Sequence, residues 1–107
     1  MKLVIAIISN DDAPNVSVAL TKESYSVTKL ATTGGFLKAG NTTLLVGCED
    51  QLVEKAIDII KEFSQTRNEM IPSTASYDMG RFECFPVEVK VGGATIFVID
   101  IEKFIKI

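Results

Sequence analysis

Two stretches of this chain are apolar at consecutive positions, and this feature limits the possible folds more than any other. Leu3–Ile8 is a continuous, mostly β-branched run, and Leu44-Leu45-Val46 has no polar alternation. Successive strand residues point to opposite faces of a sheet, so both stretches predict strands that are apolar on both faces. Helices can cover one face of such a sheet. The other face needs a different cover, and we expect the chain to associate with itself.

Helix signals separate these strands. Asp11, Asp12 and Pro14 predict a helix start, with the carboxylates capping the helix and proline in its first turn. A second helix is predicted to begin at Glu49 and Asp50, because six apolar residues recur behind them at helical spacing. These six are Leu52, Val53, Ala56, Ile57, Ile60 and Phe63. The charged residues between them predict a solvent-exposed side.

Strand and turn signals complete the chain. Further strands are predicted at 25–33, 41–48, 66–71, 87–91 and 94–100. Gly92-Gly93 fits a tight hairpin turn between the last two strands, and a short turn is predicted at 101–104. Loops are predicted at 34–40 and at 72–83, and the second loop is expected to be mobile because its sequence has no periodicity. The order β-α-β-β-α-β with an extra hairpin predicts an α+β fold on the ferredoxin-like plan.

Composition narrows the class of function. A chain of 107 residues predicts one domain, spanning residues 1–107. The formal net charge of −3 supplies no general basic field, so no nucleic-acid binding is expected. With no histidine and two distant cysteines, neither a metal site nor a cofactor is expected. No secretion signal and no apolar run of membrane-spanning length is found, so we expect a cytoplasmic protein without membrane contact.

Candidate binding groups cluster around the Gly34-Gly35 pair. Thr28 can offer a hydroxyl to a phosphate, and the backbone N–H groups near Gly34, Gly35 and Phe36 can form an anion-binding nest. Phe36 can stack on a base, and Asn41 can hydrogen-bond to an adenine edge. Each group also has a structural alternative: a solvent-facing strand threonine, a chain reversal, a loop anchor or a turn residue.

Two glycine-bearing motifs are similar to those of a known family. The first motif runs over Thr28–Thr43 and the second over Phe85–Val98. The opening strand Met1–Ile7 and the segment Arg67–Ile71 fit the same pattern. On these residues, which span most of the chain, the protein resembles the PII-like cyclic di-AMP receptors.

The resemblance implies a PII-like homotrimer that holds cyclic di-AMP in the clefts between neighbouring subunits. It also implies a signalling protein without catalytic activity, which relays ligand binding to an unknown downstream protein through a loop rearrangement. Seven positions match residues that contact the ligand in the family: Thr28, Gly35, Phe36, Leu37, Asn41, Gly47 and Phe97.

Two positions depart from the family pattern. Ser26 stands where many relatives have arginine, and Lys106 stands where glutamine is expected. These departures leave open a PII-like sensor of a different nucleotide, such as ATP. Lys29 has the charge to bind phosphate, and only the geometry of its strand decides whether it faces the ligand. A small enzyme is a further alternative, with the carboxylates before the two helices as acid–base groups.

Overall fold

The computed structural model describes residues 1–30, 40–72 and 86–107, without the side chains of residues 71, 72, 86 and 87. Its elements are β1 (Lys2–Ser9), α1 (Ala13–Lys22), β2 (Ser26–Leu30), β3 (Asn41–Cys48), a 3-10 turn (Asp50–Leu52), α2 (Val53–Phe63), β4 (Arg67–Pro72), β5 (Pro86–Val91) and β6 (Ala94–Asp100). The two predicted loops lie outside the described residues, except for Gly40 and Pro72.

Four strands form an antiparallel sheet in the order β2-β3-β1-β6. The two stretches that are apolar at consecutive positions form the two central strands, β1 and β3. Strands β4 and β5 pair only with each other and form a separate hairpin. Two interleaved β-α-β units in an antiparallel sheet are the ferredoxin-like plan, so the predicted α+β fold and its extra hairpin are confirmed.

Both helices pack against one face of the sheet, which we call the covered face. The register places Val4 opposite Val46 and Ala6 opposite Leu44. Each fully buried aliphatic side chain contributes about 1.5–3 kcal/mol to folding. This layer is the core of the described fold, and it consists of Val4, Ala6, Ile8, Leu44 and Val46 from the strands and Val16, Leu20, Ala56 and Ile60 from the helices.

The opposite side of the sheet, which we call the open face, contains the strand residues that alternate with the core positions. Phe97 and Ile99 on this face are 52% and 49% exposed. The open face is nonetheless rich in aliphatic residues, so the prediction of a sheet that is apolar on both faces is confirmed. Its members are Leu3, Ile5, Ile7, Ser9, Ser26, Thr28, Leu30, Asn41, Thr43, Leu45, Gly47, Thr95, Phe97 and Ile99.

The helix starts differ from the prediction in what the acidic side chains do. Asp12 precedes α1 and Glu49 precedes the 3-10 turn, but neither side chain makes a capping hydrogen bond. The carboxylate of Asp12 instead accepts hydrogen bonds from Arg67, and that of Asp50 pairs with the amino group of Met1 at 2.9 Å. The prediction of side-chain caps is wrong for Asp12 and Glu49, and the carboxylates of Asp12 and Asp50 bind cations that are distant in sequence.

The apolar stripe of α2 is confirmed for its central part. Val53, Ala56 and Ile60 are buried, and Ile57 packs against the core from a half-buried position. Leu52 and Phe63, at the two ends of the stripe, are exposed. The stripe therefore fixes the side of the helix that faces the sheet, and the packing decides how far the contact extends.

The hairpin turn predicted at Gly92-Gly93 is wrong. These glycines connect β5 in the hairpin to β6 in the main sheet, two strands that do not pair with each other. Both glycines have positive φ angles, +83° and +84°. A Cβ on Gly92 would collide with the backbone of Gln65, and one on Gly93 would lie 2.7 Å from Oγ1 of Thr66. Glycine is required here because the chain passes closely over the end of α2.

The chain after β6 contains no regular secondary structure, and it bends at Glu102, within the turn predicted at 101–104. The N–H of Ile101 donates to the carbonyl oxygen of Met1 at 3.1 Å. This bond holds the start of the terminal segment, residues 101–107, beside the start of β1. Phe104 and Ile105 then lie exposed at the edge of the open face.

Candidate functional site

A cavity of about 730 Å³, which we call the open-face cavity, lies between the open face and the terminal segment. This volume falls within the range of about 300–1,000 Å³ that is common for small-molecule sites. One wall consists of strand residues and the other of the residues that follow β6. The cavity can therefore hold a ligand of nucleotide size.

The strand wall combines two hydroxyl groups with apolar surface. Ser26 and Thr28 are separated by one residue on β2, so both side chains point to the open face. They lie opposite Gly47 and Leu45 of β3, respectively. Hydroxyls can donate hydrogen bonds to phosphate oxygens, and the leucine offers apolar contact to a base. The wall thus has the two kinds of surface that a nucleotide needs.

Gly47 adds no side chain to the strand wall of the cavity. A Cβ at this position would make only an ordinary van der Waals contact, 3.8 Å from Cδ1 of Ile101. Unlike Gly92 and Gly93, Gly47 is not required to be glycine by the packing of the chain. The missing side chain instead leaves room at the floor of the cavity.

The second wall brings in a positive charge. Lys106 lines the cavity together with Ile101, Phe104 and Ile105. Met1 also lines this cavity, but the carboxylate of Asp50 binds its amino group and raises the pKa of that group. The charge on Lys106 is therefore the more available of the two for an anionic ligand.

Lys29 does not face the open-face cavity. It lies opposite Leu44 in the register, which places it on the covered face, and it lines a separate cavity beside the start of α1. A lysine on that face cannot contact a ligand held by Thr28 and Gly47 of the same subunit. The geometry thus decides against Lys29 as a phosphate contact in this cavity.

Asn41 lies on the open face but at the other end of β3. It lies six positions before Gly47, which corresponds to about 20 Å along an extended strand. It lines a smaller cavity, of about 200 Å³, with Ser9, Gly92, Gly93 and Thr95. Asn41 and Gly47 therefore belong to different sites within one subunit.

Phe97 lies on the open face at the opposite edge of the sheet from Thr28. The register runs from Thr28 to Leu45, Ile5 and Phe97 across the four strands. Three strand spacings put the two edge residues about 14 Å apart. The ring is half exposed, so it can receive a base or a neighbouring protein surface.

An ion pair that was not predicted lies next to the Asn41 cavity. Arg67 donates from Nη2 to Oδ1 of Asp12 at 2.9 Å and from Nη1 to Oδ2 at 3.2 Å, while the Ser9 hydroxyl donates to Oδ2 at 3.1 Å. The hydrogen bond from Arg67 is the main cause that lowers the pKa of Asp12 below its ordinary value of 3.8. The pair joins the start of α1 to β4, across 55 residues of sequence. No local pattern connects residues so far apart.

The structure thus brings Thr28 and Gly47 together and places Asn41 and Phe97 elsewhere on the same face. The predicted contacts Gly35, Phe36 and Leu37 lie outside the described residues. Among the residues that are described, no three acidic, cysteine or histidine side chains cluster as a metal site requires. No helix within the described ranges is long and apolar enough to cross a membrane.

Two comparisons with known proteins concern the family and the fold. The family model of the cyclic-di-AMP receptors matches the chain over residues 1–107. The fold is also similar to the crystal structure of a protein from Pediococcus pentosaceus ATCC 25745 that is described as functionally unknown. The two sequences are 40% identical, the TM-score is 0.76, and the match covers 99% of this chain and 96% of that one.

Proposed function

Because this chain belongs to the cyclic-di-AMP receptor family, we propose that it binds cyclic di-AMP at the subunit interfaces of a homotrimer and passes the signal to a partner protein. Binding is expected to rearrange loops, and no reaction is performed. The proposal places the protein in the cytoplasm, where it would meet an intracellular nucleotide signal. Family membership supports the ligand, and the site geometry supports the way in which it is held.

The observation that carries the proposal is the open-face cavity. It combines the hydroxyls of Ser26 and Thr28, the open floor at Gly47 and the apolar side chain of Leu45. The hydroxyls can donate hydrogen bonds to phosphate oxygens, and an adenine ring can pack against the apolar side chain of Leu45. The charge of Lys106 favours an anion at the same place.

The separation of the expected contacts supports an interface site. Gly47 and Asn41 lie about 20 Å apart on one strand, and Thr28 and Phe97 lie about 14 Å apart across the sheet. We propose that a neighbouring subunit supplies the missing contacts, so that each ligand touches the cavity of one chain and the Asn41 or Phe97 region of the next. The exposed apolar residues of the open face favour such an assembly.

The hairpin β4–β5 is the element that we propose as the relay. Gly92 and Gly93 link it to β6, and both line the cavity that contains Asn41. Arg67, at the start of the hairpin, binds Asp12 next to the same cavity. A ligand that moves Asn41 would therefore act directly on the base of the hairpin, and we propose that a partner protein recognises the hairpin.

The alternative of a PII-like sensor for another nucleotide, such as ATP, is favoured by one observation. Ser26 lines the cavity with a hydroxyl, whereas the arginine that many relatives have at this position could bind two phosphate oxygens at once. A single ammonium group, as on Lys106, is less selective for the shape of a phosphate group than a guanidinium. We therefore compare adenine nucleotides directly in the test.

The test is a calorimetric titration of the protein with cyclic di-AMP, cyclic di-GMP, ATP and AMP, with light scattering on the same samples. We expect the tightest binding for cyclic di-AMP, because the amide of Asn41 can pair with both the N6 donor and the N7 acceptor of adenine, whereas guanine presents two acceptors, N7 and O6, at that edge. The expected mass is about 35 kDa, three times the 11.6 kDa of one chain. A monomer that binds fully would refute the interface site, and a preference for ATP would favour the alternative.

A further inference from the structure

Lys106 is unusual among the charged residues around the sheet, because it reaches the open face from the terminal segment. The lysines of the strands at this sheet, Lys2 and Lys29, both lie on the covered face by register. Lys2 is also paired with Asp100. None of the ion pairs among the described residues includes Lys106. Its charge is therefore uncompensated in the structure and adjoins the cavity.

A dianionic ligand needs such a charge. A cyclic dinucleotide has two phosphodiester groups, each with one negative charge, and the hydroxyls of Ser26 and Thr28 are neutral donors. With a formal net charge of −3, the chain provides no general attraction for an anion. A hydrogen bond that includes a charged donor is roughly twice as strong as a neutral one. The cavity thus depends on a local cation for its electrostatic attraction.

We propose that Lys106 is the phosphate-binding cation of the open-face cavity and that it acts on charge alone, without reading the base. The inference rests on the proposed function, since it assigns a role within the same site. The terminal segment supplies the positive charge, while the opposite wall supplies hydroxyl and apolar contacts. The hydrogen bond between Ile101 and Met1 holds the start of that segment beside the cavity.

The experiment compares three variants of the full chain by calorimetry with cyclic di-AMP and cyclic di-GMP. Lys106→Gln removes the charge, Lys106→Arg retains it, and Lys103→Gln is the control. Lys103 is exposed on the same segment and does not line the cavity. We expect Lys106→Gln to weaken cyclic di-AMP binding by about tenfold, Lys106→Arg to stay within about threefold of the wild type, and Lys103→Gln to have no effect.

Two further readouts separate a charge contact from a base contact or a folding defect. The affinity of the wild type should fall as salt is raised from 50 to about 500 mM, and Lys106→Gln should lose most of that dependence. Lys106→Gln should also lower the affinities for cyclic di-AMP and cyclic di-GMP by the same factor. The urea midpoint should not change, because the side chain is exposed.

Three outcomes would overturn the inference. If Lys106→Gln binds as tightly as the wild type, the charge is not used, and the proposed receptor function still stands. If the ratio of affinities for the two ligands changes, Lys106 reads the base. If the wild type binds no cyclic di-AMP at all, both the proposed function and the inference fail.

Discussion

The two faces of the four-stranded sheet have similar apolar side chains but meet different surroundings. On the covered face, Val4, Ala6 and Val46 are 0% exposed beneath the helices. On the open face, Phe97 and Ile99 retain about half of their exposure, and β2 contributes two hydroxyls. The covered face is therefore a completed core, whereas the open face is a surface that is still available for contact.

This difference separates folding from function within one strand. Because successive residues of β3 point to opposite faces, neighbours in sequence serve different purposes. Leu44 and Leu45 have identical side chains, but Leu44 is packed under the helices and Leu45 lines the open-face cavity. An exposed apolar patch with a few polar groups is typical of a binding or assembly surface. The comparison can be tested with matched substitutions of adjacent residues.

The largest expected effect comes from the pair Leu44→Ala and Leu45→Ala. Leu44→Ala should lower the free energy of unfolding by about 2–5 kcal/mol, because it leaves a cavity in the packed core. Leu45→Ala should cost about 1 kcal/mol or less in a dilute sample, because the leucine is only half buried in the single chain. Urea titrations at several protein concentrations measure both effects.

Concentration makes this comparison sharper. If the open face is covered in an assembly, the cost of Leu45→Ala should grow as protein concentration rises, since association stabilises the folded chain by mass action. The cost of Leu44→Ala should stay the same. If the cost of Leu45→Ala is the same at every protein concentration, the open face is not covered by association.

The covered face was the more predictable of the two from sequence. The consecutive apolar residues of β1 and β3, and the stripe through Val53, Ala56 and Ile60, define strands, a helix and the side that packs. The partner of a strand is not encoded locally, and so the Gly92-Gly93 connection was assigned to the wrong pair of strands. The same reason explains Asp12, whose cation lies 55 residues away.

The candidate site was predictable only in part. Thr28 and Gly47 were identified through the family motif, and the structure places both at one cavity. Their distance from Asn41 and Phe97 depends on the register of four paired strands, and a single sequence motif does not specify that register. Lys106 was noted in the sequence as a departure from the family pattern, and its position at the cavity depends on the path of the terminal segment.

The next largest effect concerns Asn41 and its neighbour Thr42, which lie on opposite faces. Asn41→Ala should weaken cyclic di-AMP binding about tenfold or more, because an adenine group loses its hydrogen-bond partner. It should change stability by only about 0.5 kcal/mol. Calorimetry and urea titration on the same variant give the two values.

Thr42→Val is the matched control for the covered face. Thr42 is buried, and its hydroxyl donates to the side-chain oxygen of Asn10. Its loss should lower stability by about 1 kcal/mol and leave ligand affinity unchanged. If Asn41→Ala lowers stability and not affinity, Asn41 is a turn residue and the ligand lies elsewhere.

The smallest expected effect is the response of the Asp12–Arg67 ion pair to acid. Asp12 is a buried carboxylate at the start of α1, and the bond from Arg67 lowers its pKa. None of the strand residues that make up the open face has an ionisable side chain. Acidification from pH 7 to pH 3 should therefore weaken the attachment of the hairpin, and on the open face it should act only through Ser9, whose hydroxyl donates to Asp12. The effect should be smaller than that of Leu44→Ala, because solvent screens the exposed end of Arg67.

The direction follows from proton binding. Because the pKa of Asp12 is lowered on folding, the unfolded chain takes up a proton first as the pH falls below about 3.8. The stabilisation is complete above that pH and is lost as the pH approaches the lowered pKa of the folded state. Asp12→Asn should be less stable than the wild type at pH 7, and the difference should shrink at pH 3, as measured by urea midpoints. Asp50→Asn, at an exposed pair, is the control and should show a smaller difference. If the difference in urea midpoint between Asp12→Asn and the wild type is the same at both pH values, the Asp12–Arg67 ion pair does not stabilise the fold.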